Sequence, residues 1–144
     1  MTVTTDALAA TLDAENATIF TYGVVAAYAA TARAQTIAEF TAEHRSRREE
    51  LTAALSTAPA EVPEAAPGYD LPQPITDPVS ALTVALSTEE DCTIAYRALL
   101  ERAEDAAARG LALGGLTDSA RRAATWRLAL RISPSTVALP GSTI

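Results

Sequence analysis

The stretch Ser56-Thr-Ala-Pro59-Ala-Glu-Val-Pro63-Glu-Ala-Ala-Pro67-Gly68-Tyr69-Asp-Leu71-Pro72-Gln-Pro74-Ile75-Thr-Asp77 places five prolines in 22 residues, between two long blocks whose interiors contain none. Each proline removes a backbone donor and clashes with the preceding helical turn, so this segment reads as extended or polyproline chain. Its expected anchors are Tyr69, Leu71 and Ile75. Length then decides the topology. A connector of about 22 residues reaches ~70 Å when extended, whereas a helix of about 25 residues spans ~37 Å. Antiparallel neighbours need only a few connecting residues. The segment is therefore expected to cross the whole molecule and to leave the helices before and after it parallel.

Working outward, both flanking blocks are rich in alanine, leucine, glutamate and arginine, all strong helix formers. The first is too long for one ordinary helix. One apolar stripe reads Leu8, Leu12, Glu15, Ile19, Tyr22, Ala26, Ala29; a second reads Ile37, Phe40, His44, Arg47 or Arg48, Leu51, Leu55. A turn at Ala29 to Thr31, with Thr31 as cap, gives helices at about 6–29 and 31–55. Asp77-Pro78 starts the third helix with an acidic cap and a proline at the first helical position. Its stripe is Leu82, Leu86, Glu89, Thr93, Tyr96, Leu100, Ala103. Gly110, Gly114 and Gly115 are read as breaking it, and Thr117 as opening a short fourth helix that carries Trp126 and Leu130. The expected domain thus covers 1–144: helices at 78–109 and 117–131 follow a crossover at 56–77, and an irregular tail at 133–144 lies on the bundle. The fold class is all-α, a four-helix bundle of two hairpins joined by one long crossover.

Composition excludes several functions. The longest apolar stretch, Gly23 to Ala30, is too short to span a bilayer, and no basic segment precedes an apolar one at the N-terminus. Membrane insertion and secretion are not expected. A net charge of −7 argues against nucleic acid binding. Arg45, Arg47 and Arg48 are followed at once by Glu49 and Glu50, which reads as a solvated helix face. Cys92 is the sole cysteine, so a reducing, cytoplasmic setting is the default and an inert buried thiol the expected role. No phosphate loop, Ser-His-Asp order or CxxC pair points to an enzyme.

What stands out is polar. Glu15, His44 and Glu89 each occupy a core position on a different helix. Counted from the end that holds the first turn, they lie at depths of ~22, 20 and 17 Å, within about one helical turn of each other. Tyr22 follows Glu15 by seven residues, and Tyr96 follows Glu89 by seven, so each pair stacks on one face.

The runs Glu15-Asn-Ala-Thr-Ile-Phe-Thr-Tyr22-Gly23-Val-Val, His44-Arg-Ser-Arg-Arg48, Tyr69-Asp-Leu-Pro72, Glu89 to Tyr96 and Leu139-Pro-Gly141 resemble the ferritin-like superfamily. They are closest to a family of small ferritin-like domains of unknown function from high-GC bacteria. The resemblance implies a bundle with a long crossover and, in metal-bearing members, a di-iron site. Such a site takes a glutamate from each of two helices and Glu-x-x-His from each of the other two. Glu15 and Glu89 match the single glutamates and His44 matches one histidine. However, Thr41 stands where the first bridging glutamate belongs, and residues 117–131 carry arginines in place of the second pair.

A degenerate site is therefore expected, without cofactor, replaced by a buried polar network of Glu15, Tyr22, His44, Arg48, Glu89 and Tyr96, with Arg131 as a further source of positive charge. The alternatives are a single transition metal on Glu15, His44 and Glu89, or a small apolar ligand carried in the bundle interior or against the crossover. Alanine-rich faces on the first two helices make a two-fold homodimer the expected partner state.

Overall fold

The computed structural model describes residues 2–57 and 62–143; residues 1, 58–61 and 144, including Pro59 within the crossover, lie outside the described residues. The described residues form four α-helices: α1 (Val3–Tyr28), α2 (Ala34–Ser56), α3 (Pro78–Arg102) and α4 (Ala106–Ala129), with a 3₁₀ turn at Thr31–Arg33. Local chemistry explains the starts. Thr2 and Thr5 form a reciprocal cap, each backbone N–H donating to the other's hydroxyl at 2.8 and 3.1 Å, so α1 begins three residues before the expected Asp6. Asp77 caps α3 as expected, accepting from Ser80 N at 2.7 Å, and Asp105 caps α4, accepting from Ala108 N at 2.8 Å.

The α1–α2 turn falls where expected, but Thr31 opens the 3₁₀ turn and α2 begins only at Ala34. The second hairpin corrects the sequence reading more strongly. The α3–α4 turn is at Ala103 to Asp105, and Gly110, Gly114 and Gly115 lie inside α4. Gly115 is there for space: a Cβ would stand 2.2 Å from Cε1 of the Tyr96 ring. Glycine weakens a helix by about 1 kcal/mol relative to alanine, and here it lets α4 approach a buried tyrosine.

Gly115→Ala displaces the Tyr96 ring and is expected to destabilise the protein by about 1–3 kcal/mol through overpacking. Gly110→Ala, with nothing within 4 Å of the added methyl, is expected to be neutral or slightly stabilising. Denaturant melts of the two variants decide the matter, and equal midpoints contradict it.

Cross-helix contacts fix the directions. Thr4 meets Arg102 O, Thr11 meets Ala95 O and Thr18 meets Thr88, so α1 and α3 run antiparallel. Since α2 folds back on α1, α2 and α3 are parallel, as the crossover length requires. The crossover spans the bundle. Val62 packs with the cluster of Leu8, Leu51, Leu55 and Leu99, whereas Ile75 is buried with Val25, Ile37 and Trp126 at the other end. Between these anchors, Tyr69 lies 5.9 Å from the Phe20 ring. The arrangement is an all-α four-helix bundle. No described helix is long and apolar enough to cross a membrane.

The two apolar clusters are separate, and the layer between them is polar. Near the helix ends the apolar stripes slip by one residue: Val25 and Leu99 are buried where Ala26 and Leu100 are the expected core residues.

Candidate functional site

The polar layer is assembled from all four helices. Glu15 comes from α1, His44 from α2, Glu89 from α3 and Arg122 from α4, and all four side chains are 0% exposed. His44 is the bridge. Its Nδ1 lies 2.6 Å from Glu15 Oε2 and its Nε2 lies 2.9 Å from Glu89 Oε2. Arg122 uses every guanidinium nitrogen: Nε donates to both oxygens of Glu89 at 3.0 and 3.1 Å, Nη1 to Glu43 at 2.7 Å and Nη2 to the Ser119 hydroxyl at 3.2 Å. Acid and base alternate along the string Glu15, His44, Glu89, Arg122, Glu43, and only Glu43 reaches the surface.

The tyrosines close the network. Tyr96 donates to Glu15 Oε1 at 2.6 Å and Tyr22 donates to Glu89 Oε2 at 2.5 Å. Trp126 N–H donates to the Tyr22 oxygen at 2.8 Å while its ring meets Phe40 edge-on. The Thr18 hydroxyl adds contacts to Thr88 at 2.9 Å and to Cys92 at 3.1 Å. Among the described residues, no buried side-chain nitrogen or oxygen is left without a partner. Leaving even one unmade would cost about 1–3 kcal/mol.

This geometry sets the charge of His44. Each ring nitrogen faces a carboxylate oxygen, and only an imidazolium donates from both. Burial opposes that charge, but the Glu89 carboxylate and the hydrogen bonds to Glu15 and Glu89 outweigh it and raise the pKa to about 9. For Glu89 burial again favours the neutral form. The positive charge and hydrogen bond of His44, then Arg122, overcome it and hold the carboxyl below its usual range. Burial of Arg122 is likewise outweighed by the charge of Glu89. Burial first, and then the adjacent carboxylates, push Tyr22, Tyr96 and Cys92 upward, so all three keep their protons.

Of the six residues expected in a network, the structure brings together Glu15, Tyr22, His44, Glu89 and Tyr96. It does not bring Arg48, which is only partly buried and makes no polar side-chain contact to them. One turn of helix from His44 carries Arg48 away from the interior. Arg131 is also elsewhere, exposed past the end of α4 with φ 58°. The cation is Arg122, which sequence reasoning missed. Its signal lay in the α4 stripe Ala112, Gly115, Ser119, Arg122, Trp126, of which the last three fall within the helix expected at 117–131.

The residues do not fit a two-metal centre. Thr41, three before His44, turns back to its own helix and donates to Ile37 O at 2.7 Å, and α4 presents a cation where ligands are needed. A smaller set is closer in geometry: ligating atoms of Glu15, His44 and Cys92 all lie within 4.8 Å of one another.

Among curated proteins, no sequence matches this chain. The fold is similar to the crystal structure of a conserved hypothetical protein, rv2844, from Mycobacterium tuberculosis. The TM-score is 0.87 at 35% identity, with 89% of this chain and 97% of that one covered. Residues 7–144 match the family described as Domain of unknown function (DUF4439). The chain therefore belongs to the DUF4439 family.

Proposed function

We propose that this protein is a ferritin-like bundle whose metal site has been replaced by a closed charge network, and that it acts without catalysis, as a rigid scaffold that works through its surfaces. The observation that carries this reading is the place of Arg122. Its guanidinium straddles Glu89 in the bundle interior, where a metal-bearing relative would hold a cation. With both ring nitrogens of His44 engaged by carboxylates, Glu15, His44 and Glu89 each already have a charged partner. Such a network stabilises one helix register over its neighbours, because a shift of one residue strands several buried charges. The two-fold homodimer expected through α1 and α2 belongs to the same proposal, and the exposed Ala10, Gly23, Ala26 and Ala27 offer α1 as a face for close approach.

A second reading follows from the Glu15, His44 and Cys92 set. A thiolate, an imidazole and a carboxylate form a chemically sufficient mononuclear zinc site. An ion there would have to displace a ring proton of His44 and the proton of Cys92, whose loss burial opposes. Metal bound to Glu15, His44 and Glu89 meets a different obstacle, since the two carboxylates sit at different nitrogens of one ring.

Elemental analysis of protein purified without chelator separates these readings. The network reading expects no stoichiometric transition metal in the wild type, even after incubation with zinc. One equivalent of metal that disappears in Cys92→Ala overturns it in favour of the thiolate site. One equivalent retained in Cys92→Ala but lost in Glu15→Ala overturns it in favour of the carboxylate–histidine site.

A further inference from the structure

Beyond Ala129 the chain reverses at Arg131 and returns over the outer groove between α3 and α4. Two contacts seat it there. Arg97 Nη1 donates to Pro140 O at 3.4 Å, and Gly141, with φ 76°, lies so close to α3 that a Cβ would stand 2.2 Å from Thr93 O. The tail does not fill the groove. It roofs two adjoining cavities of about 340 and 580 Å³, both bordered by Glu90, Thr93, Arg127 and Val137. Spaces of roughly 300–1,000 Å³ are the usual size for small-molecule sites.

The chemistry of the walls is uneven. Ala120, Ala123, Ala124 and Pro140 make the smaller cavity largely apolar, and Ile94 and Leu139 extend apolar surface into the larger one. Charge enters at one side. Arg127 is 17% exposed and uses a single nitrogen on Glu90 Oε1 at 2.7 Å. A guanidinium carries five donors, so it retains capacity for a second acceptor. Arg121 also borders the smaller cavity, but its Nη2 donates to Glu43 at 2.9 Å, so Arg127 and the half-exposed Glu90 set the charge on this side.

We propose that this tail-roofed groove binds a small amphipathic anion, a carboxylic acid with a short apolar chain. The carboxylate pairs with Arg127, and the chain lies along Ala120, Ala124 and Val137. An apolar body suits walls of alanine and valine, and a carboxylate suits the planar fork of an arginine already held in place by Glu90. The site lies outside the bundle and does not depend on the state of the buried network.

The test is isothermal titration of the full chain with octanoate, with 1-octanol as the uncharged control. Octanoate is expected to bind, and octanol to bind at least about tenfold more weakly, the scale of one charge-assisted hydrogen bond. Arg127→Gln is expected to weaken octanoate by a similar factor while preserving the helical circular dichroism. Ala124→Leu, which fills the smaller cavity from a partly exposed position, is expected to abolish binding. Absence of octanoate binding at millimolar concentration, equal affinity for octanol, or unchanged affinity in Arg127→Gln each overturns the proposal.

Discussion

Replacing Arg122 with methionine is expected to destabilise the protein by about 3–5 kcal/mol, the scale seen when one partner of a buried ion pair is removed. For a chain of this size that lowers the melting temperature by on the order of 10–15 °C. The cause is what remains. Glu89 stays fully buried and retains Tyr22 and His44, Ser119 loses its donor, and Glu43 keeps only Arg121. Adding Glu89→Gln removes the stranded charge, so the double variant should be more stable than Arg122→Met alone. A double-mutant cycle by chemical denaturation measures this coupling. A loss below about 1 kcal/mol in Arg122→Met, with no coupling to Glu89, would show that the cation is dispensable.

The second large effect is on pH dependence. His44 carries a folded-state pKa of about 9 against an unfolded value of 6.5. Because the folded value is the higher one, the stabilisation is fully present below pH 6.5 and is lost as pH rises toward 9. A separation of this size corresponds to on the order of 3 kcal/mol. Tyr22, Tyr96 and Cys92, all raised in the fold, steepen the decline at higher pH. Glu89 acts at the other end: its carboxyl is lowered in the fold, so its contribution is present above its ordinary value of 4.5 and is lost as pH falls further. Stability should therefore peak between about pH 4.5 and 6.5, and His44→Gln should flatten the decline that follows. A wild-type curve level from pH 6 to 9 would falsify the charged state assigned to His44.

How much of this was legible in the sequence depends on which force set each feature. The crossover was readable because five prolines forbid a helix and chain length dictates reach. Its consequence, α2 parallel to α3, holds in the structure. Glu15, His44 and Glu89 were readable because each interrupts an otherwise apolar stripe, and the regular rise of a helix converts residue counts into depth. The α3–α4 turn was not readable. Three glycines within six residues resemble a break, yet Gly115 answers to Tyr96 from α3, a tertiary contact that local propensity does not record. That misreading shortened the α4 stripe, and Arg131 was taken as its cation although Arg122 stands one turn before Trp126. Arg48 was preferred instead because it lies one turn from His44 on the same helix. Four residues along an α-helix leave a side chain about 40° off the first, and here that rotation carries Arg48 out of the core.

The charge network turns on a single proton. His44 is the chain's only histidine, so its ring resonances can be followed without ambiguity by nitrogen-15 NMR through a pH titration. An imidazolium donating to Glu15 and Glu89 requires both ring nitrogens to remain protonated at neutral pH, with a midpoint near pH 9. A ring that titrates at or below its ordinary value of 6.5 would leave one nitrogen facing a carboxylate without a proton between them, and would contradict the charge network at its centre.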